Sequence, residues 1–317
     1  MTQTSERIQK INRLKHDIYS EYGFYYYVPM AEAYTVQVPV TVGCSYDKCL
    51  YCYLNQGRKF RELSLEEITA HVENLRVINE GRNPKRFLLA GGNPFVLSTG
   101  KLLRISEAIR SKFPECEYIS AFSRTDDITR KTPDELKALH EAGYNRLCIG
   151  IESGSDEVLA YQNKGVTRSM NLQAMKMLDD SGMSYSVYIM LGLGGHDMSE
   201  SHINETASLL NMSNPFELTV VTLVIFKGAK LIERIKSHDF HRMHPLDAFK
   251  EGRKLLSLLE ISTIWDATHK TNIYPLKGRI PEHKEKLLRR IDDVIAEIES
   301  TDLKQYELKR WRKWGTE

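Results

Sequence analysis

The sequence predicts an α/β fold: a partial (β/α)6 TIM-like barrel with an N-terminal helix and a C-terminal helical extension. Three observations carry this. Strand-length apolar runs alternate with helical patterns six times from Val36 to about Phe226, and that order builds a parallel sheet with right-handed crossovers. Helix-start signals stand between the strands. A chain of 317 residues is also long enough to bury one barrel-sized core with appendages. The expected division is residues 1–34 as N-terminal helix and aromatic segment, 35–240 as barrel, and 241–317 as an extension closing it.

Ile8, Ile11, Leu14 and Ile18 recur at helical spacing, which predicts an amphipathic helix from Ser5 to about Tyr22. The aromatic run Tyr22 to Tyr27 is read as packing, given the area such side chains bury. Val36, Val38, Val40 and Val42 alternate with polar or small residues as the first strand, which ends at Gly43. Ser64 and Glu67 form a capping box opening the first crossover helix. Strand two is Arg86–Gly91, strand three Tyr118–Ser123. Thr132-Pro133-Asp134-Glu135 is a second helix start with proline at its first position, and Gly143 its stop. Strands four to six are Arg146–Glu152, Tyr185–Leu191 and about Leu218 to Phe226. Beyond them the sequence predicts a helix over Pro245–Leu259, a short strand over Ile261–Trp265, an irregular stretch Asp266–Arg279, and helices from about Pro281 and from Thr301.

Lys plus Arg exceed Asp plus Glu by 44 − 42 = 2, which gives no global argument for a nucleic-acid partner. No window approaches the roughly 20 apolar residues of a membrane span, and the first 15 residues lack the apolar core of a secretion signal. The expected setting is the cytoplasm, with no membrane partner and with reduced thiols.

Cys44, Cys49 and Cys52 fall within nine residues, on a loop leaving the C-terminal end of the first strand, where barrels of this kind carry their chemistry. Three thiolates hold three irons of a [4Fe-4S] cube and leave the fourth open to a ligand, whereas electron-transfer clusters normally take four. A zinc knuckle is the competing reading, but structural zinc wants a fourth protein ligand and the next histidine is His71, well down a predicted helix. Three cysteines this close, with only Cys116 and Cys148 besides, do not make a disulfide framework.

With Tyr51 just before the last cysteine, this loop resembles the signature of the radical S-adenosylmethionine (SAM) superfamily, in which the methionine amino and carboxylate groups chelate the open iron. The usual spacing there is C-x3-C-x2-C; here it is C-x4-C-x2-C. After strand two, Gly91-Gly92-Asn93 resembles that superfamily's "GGE" turn, with Asn93 in place of the acid that receives the methionine ammonium. An amide oxygen still accepts such a bond, though without the charge that strengthens it. Strand four runs into Gly150-Ile-Glu-Ser-Gly-Ser155, which is similar to the branch containing oxygen-independent coproporphyrinogen oxidase and the radical SAM tRNA-modifying enzymes. By that resemblance Glu152, followed by Ser153, meets the SAM ribose, and Ser123 and Arg124 meet the ribose or the SAM carboxylate. Glu152 pairing with a core lysine is the alternative. Leu191-Gly192-Leu-Gly-Gly195 is similar to the glycine-rich turn that lets backbone approach adenine. Arg168 and Gln173 fall where this branch places polar SAM contacts, with surface roles as the alternative.

The resemblance covers roughly residues 35–230. It implies reductive SAM cleavage to methionine and a 5′-deoxyadenosyl radical, fed by a low-potential donor such as flavodoxin or ferredoxin, with hydrogen abstraction from a small-molecule substrate. Cys116 and Cys148 are too far apart in sequence to suggest an auxiliary cluster, so single-cluster chemistry is expected. Modification of tRNA or a peptide, including methyl transfer, is the second reading. A nucleic-acid module is the competing class, because the tail Leu303–Trp314 interleaves Lys304, Lys309, Arg310, Arg312 and Lys313 with Tyr306, Trp311 and Trp314. An amphipathic helix packing its tryptophans is the alternative there. Within the aperiodic stretch after the short strand, His269, with Asp266 or Lys270, is the candidate substrate contact; a plain surface connection is the other reading.

Overall fold

The computed structural model describes residues 3–20, 28–55, 57–301 and 303–304. The aromatic run at 22–27 and the tail from 305 onward lie outside them. In chain order the elements are α1 (Gln3–Tyr19), β1 (Val36–Pro39), β2 (Thr41–Val42), β3 (Arg61–Glu62), α2 (Leu65–Ile78), β4 (Arg86–Ala90), α3 (Thr99–Lys112), β5 (Tyr118–Ser123), α4 (Thr125–Thr129), α5 (Pro133–Glu141) and β6 (Leu147–Glu152). Then follow α6 (Asp156–Tyr161), α7 (Arg168–Ser181), β7 (Tyr185–Leu191), α8 (Ser199–Leu210), β8 (Glu217–Thr222), α9 (Leu231–Lys236), α10 (Pro245–Leu258), β9 (Thr263–Asp266), β10 (Lys277–Ile280) and α11 (Lys284–Thr301). The fold is α/β, with mostly parallel strands.

Two compact units divide the chain: Met1–Lys48 with Cys52–Gly150 and Lys176–Tyr185, and Cys49–Tyr51 with Ile151–Met175 and Ser186–Glu317. In the first, β1, β4, β5 and β6 pair in parallel in chain order, Val38 opposite Leu89 and Phe122 opposite Cys148. Their side chains and those of α2 and α3 form a core in which Val38, Phe87, Leu89, Ile68, Ile105 and Ile119 are fully buried. Both predicted helix starts are present, and each is a capping box, Ser64 with Glu67 as expected and Thr132 with Glu135 as well; such caps supply acceptors for the orphan N–H groups of a helix start.

The first strand is shorter than its valine alternation predicts. Pro39 offers no N–H to a ladder, and beyond it Thr41 and Val42 pair antiparallel with Glu62 and Arg61. That two-residue ladder has a consequence for the cysteines: residues 43–60, which carry all three, are a loop tied at both ends by β2 and β3.

In the second unit β7, β8 and β9 pair in parallel, and β10 returns antiparallel to β9. The predicted irregular stretch Asp266–Arg279 is therefore only partly irregular: Asp266 ends β9, and Lys277 to Ile280 form β10. The short apolar strand is a full partner of β8, Trp265 standing opposite Leu218 at 1 % exposure. Strand β8 ends at Thr222, short of the predicted Phe226, which is exposed. The helix expected from Pro281 begins at Lys284 and buries Leu287, Ile291, Val294 and Ile298 at helical spacing.

Candidate active site

In the first unit the candidate residues gather where β4 and β5 end. Gly91 adopts φ +147°, and a Cβ there would strike Thr41 of β2. A Cβ on Gly92 would lie 2.6 Å from the Gly43 carbonyl, to which the Gly92 N–H donates at 3.1 Å. The two glycines thus allow the end of β4 to press against the root of the cysteine loop, a structural use in addition to the ligand role expected of them.

Asn93 is 1 % exposed, and both the nitrogen and the oxygen of its amide are hydrogen-bonded. Nδ2 donates to Ser45 Oγ at 2.8 Å and to Asp127 Oδ2 at 2.5 Å, while Oδ1 accepts the Arg124 N–H at 3.2 Å. The Arg124 guanidinium lies 3.9 Å over the Tyr46 ring and donates to Asp126 Oδ1 at 2.9 Å. Such a cation over an aromatic face is an electrostatic as well as a packing contact. Ser45 and Tyr46 belong to the four residues between Cys44 and Cys49, and Asp47 beside them takes φ +45°. The longer cysteine spacing is accommodated by this left-handed turn and held by Asn93 and Arg124. Ser123 turns its hydroxyl onto the Arg124 carbonyl at 2.9 Å. Asp127, on α4, is 4 % exposed, and burial raises its carboxyl above the usual range despite the Asn93 hydrogen bond. Nothing in the sequence marked Asp127 beyond its place just after a strand.

In the second unit Glu152 ends β6 with φ +62°, a left-handed conformation that costs a non-glycine residue about 1 kcal/mol or more. Its Oε1 accepts from Lys164 Nζ at 3.1 Å, and Lys164 lies 3.3 Å from the Tyr51 hydroxyl. The core-lysine pairing is therefore present. The other carboxylate oxygen accepts nothing from the described residues. The Cys49–Tyr51 backbone is fixed here too: the Leu50 N–H donates to the Gln162 carbonyl at 2.9 Å, and the Leu50 carbonyl accepts from Leu231 at 2.8 Å.

Ser153 is fully buried and bonded to His202 Nδ1 at 2.8 Å, while His202 Nε2 meets the Met190 carbonyl at 3.1 Å. A carbonyl only accepts, so Nε2 carries the proton and Nδ1 accepts the Ser153 hydroxyl. Burial holds this imidazole down at about 4 and so neutral. The Gly192 N–H donates to Glu251 Oε2 at 2.6 Å, and Ser199 donates to Glu251 Oε1 at 2.6 Å. Gly192 has φ +76°, so the glycine is needed for the turn itself, and Leu191 beside it is buried. Burial lifts the Glu251 carboxyl to about 7.

Arg168 does not reach outward: its guanidinium donates to the Gly154 and Glu205 carbonyls and to Ser208 Oγ, stapling the turn after β6 to α8. Gln173 is exposed on α7. For these two the surface or structural reading fits the contacts. Asp266, 3 % exposed, is turned inward onto Lys277, which also meets buried Glu217 at 3.2 Å. Burial works against its charge, but Lys277 and Thr268 still hold the Asp266 carboxyl low. Two buried carboxylates share one ammonium there, which makes Asp266 an architectural residue. The 267–276 segment is pinned to the C-terminal end of β8: Thr271 Oγ1 accepts the Thr222 N–H at 3.2 Å, and Asn272 Oδ1 accepts the Thr222 hydroxyl at 2.8 Å. His269 Nδ1 lies 2.8 Å from Thr271 Oγ1; burial and then Lys270 push its imidazole below the usual range. Lys270 is exposed.

None of the five cysteines is disulfide-bonded; Cys44, Cys49 and Cys52 are partly accessible, Cys116 and Cys148 buried. Among the described residues no three His, Cys, Asp or Glu side chains converge as a single metal ion requires. Tetrahedral zinc needs such convergence. Structural zinc also wants a fourth protein ligand, whereas three thiolates suffice for a cube with one open iron, so the donor set fits the cluster. Among the described residues no helix is long and apolar enough to cross a membrane.

Residues 38–210 match the radical SAM superfamily, and the chain belongs to it. Members of this family generally use a [4Fe-4S] cluster with SAM and are enzymes. Among curated proteins, the chain is 23 % identical over 219 residues to 4′-phospho-dehydrooxetanocin synthase of Priestia megaterium, covering 62 % of this chain and 29 % of that protein. It spans less than half the length of the curated relatives it matches. Among solved structures, coproporphyrinogen III oxidase (HemN) of Escherichia coli superposes with TM-score 0.54 at 19 % identity, over 70 % of this chain and 52 % of that one. Methylornithine synthase (PylB) superposes with TM-score 0.51 at 14 % identity, over 82 % and 72 %. These likenesses show the fold, a partial TIM barrel.

Proposed function

We propose that the chain binds one [4Fe-4S] cluster through Cys44, Cys49 and Cys52 and cleaves SAM reductively, directing the resulting radical at a small-molecule substrate. The observation that carries this is the loop itself: three accessible, non-disulfide thiols between β2 and β3, backed by Asn93 and Arg124, in a radical SAM chain. Bound there, the cluster supplies the electron that splits SAM, and that chemistry belongs to the cofactor. The protein's part is to bind and orient. Tyr51 and Glu152 are held by Lys164, with the remaining Glu152 oxygen for the ribose hydroxyls. Gly91 and Gly92 bring backbone close, Asn93 serves the methionine ammonium, and Ser123, Arg124 and Ser153 contribute polar groups toward SAM. Leu191 and Gly192 offer backbone to the adenine, with Glu251 fixing the turn.

His269 is the substrate contact in this reading. Its support is the anchoring of the 267–276 segment at the C-terminal end of β8, the end at which such barrels work. With its pKa lowered, the neutral imidazole both donates and accepts hydrogen bonds near pH 7. A flavodoxin- or ferredoxin-like donor supplies the electron, and a reduced, cytoplasmic setting suits the cluster. Modification of tRNA or a peptide, including methyl transfer, is the second reading. It rests on the basic aromatic tail, which lies outside the described residues.

The test is anaerobic reconstitution followed by iron and sulfide counts. About four irons per chain are expected, lost when Cys44, Cys49 or Cys52 becomes alanine and kept in Cys116→Ser and Cys148→Ala. Iron retained in the triple variant, or a zinc content of one per chain, overturns the assignment.

A further inference from the structure

Asp127 is a buried carboxylate whose carboxyl is raised by burial even though the Arg130 and Arg124 charges act to lower it. Oδ1 meets Arg130 at 2.6 Å, but that arginine's side chain is 63 % exposed and is shared with Asp126. Among the described residues Oδ2 accepts from the neutral Asn93 amide. Burial outweighs those charges, and an anion held out of water is stabilised by any further cation that comes near. An acid early in a helix can favour the helix N-terminus, but that use needs neither burial nor a bond to a residue on another strand end.

The orientation of the Asn93 amide is settled by its neighbours. The Arg124 N–H can only donate, so Oδ1 faces it, and Nδ2 then faces Asp127 and Ser45. An amide whose N–H donates to a carboxylate is polarised, which makes its oxygen a stronger acceptor. That oxygen has a second lone pair. An acid at position 93 would instead set two carboxylates 2.5 Å apart, where both cannot ionise.

We propose that Asp127 is a positioning residue for SAM, holding behind Asn93 the negative charge that the Gly91-Gly92-Asn93 turn lacks and strengthening Asn93 Oδ1 toward the methionine ammonium. The charge has moved one side chain back, and the amide in front of it also reaches Ser45, in the longer segment between the first two cysteines. Ser45, Asn93 and Asp127 act as one unit that fixes the loop and completes the ammonium site. This rests on the SAM-binding reading above.

Exchange of the two side chains tests it, because Asn and Asp share a shape. SAM affinity is measured on anaerobically reconstituted protein by equilibrium dialysis, together with the SAM-induced change in the electron paramagnetic resonance spectrum of the reduced cluster. Asp127→Asn keeps its acceptor toward Asn93, so it should fold and load iron as the parent does while binding SAM at least about tenfold more weakly. Asn93→Asp alone is expected to lose affinity and thermal stability together. The double exchange, Asn93→Asp with Asp127→Asn, should bind within about threefold of the parent and restore the spectral change. An Asp127→Asn protein that binds SAM like the parent, or a double exchange no better than Asp127→Asn, overturns the proposal. A parent protein that takes up iron but no SAM overturns the SAM reading itself, which distinguishes the two failures.

Discussion

The Lys164 ammonium stands 3.1 Å from Glu152 Oε1, and both side chains are nearly buried, at 8 % and 11 % exposure. The same nitrogen lies 3.3 Å from the hydroxyl of Tyr51, next to Cys52. One cation therefore neutralises the strained carboxylate that ends β6 and steadies the cysteine loop. Lys164→Met leaves that carboxylate buried without its partner, a loss of about 3 kcal/mol in urea unfolding. Adding Glu152→Gln should recover most of it, because the orphan charge is gone. A Lys164→Met midpoint equal to the parent's would show that the pair contributes nothing.

Glu152→Gln alone should weaken SAM binding by tenfold or more, since charge-assisted hydrogen bonds contribute about 1.5 to 3 kcal/mol. Its amide oxygen still accepts from Lys164, so iron content stays at the parent level. Unchanged SAM affinity would make Glu152 purely structural.

Glu251 gives a pH signature. Its carboxyl rises from 4.5 to about 7 on burial, so between those values the folded state holds a proton that the unfolded state has released. Stability then falls as pH rises through that window, by about 3 kcal/mol at most, and does not return above it. His202 acts in the opposite sense: held at about 4 rather than 6.5, it costs stability as pH falls below 6.5. Glu251→Gln keeps an acceptor for the Gly192 N–H and should be more stable than the parent at pH 8 but not at pH 4.5, as read by thermal unfolding. A constant offset across that range contradicts the assignment.

The sequence reading recovered the repeating strand and helix order, the Ser64–Glu67 capping box, the helix start at Thr132 and the cysteine loop, because each is written in local spacing. It missed β10 and the break at Pro39. Lys277 to Ile280 carries no alternation and becomes a strand by pairing with β9, a partner that only the assembled chain supplies. Lys164 and Asp127 escaped notice for the same reason: each looks like a surface charge until packing buries it. Arg168 is expected at SAM from the family resemblance and Asp266 at the substrate from its aperiodic stretch, yet the backbone carbonyls and the lysine they meet occupy them.

His269→Ala should lower substrate turnover while leaving iron content and uncoupled SAM cleavage in place. Thr271 Oγ1 loses the imidazole as a partner, but Asn272 still holds the segment to Thr222 and to the Val220 carbonyl of β8. Undiminished turnover would remove His269 from substrate contact.

The measurement closest to the central claim is chromatographic detection of 5′-deoxyadenosine after anaerobically reconstituted protein is mixed with SAM and dithionite. The account predicts its formation in the parent and in Cys116→Ser, and none in Cys44→Ala, Cys49→Ala or Cys52→Ala. A protein carrying about four irons that yields no 5′-deoxyadenosine, or a Cys49→Ala variant that still does, would contradict it.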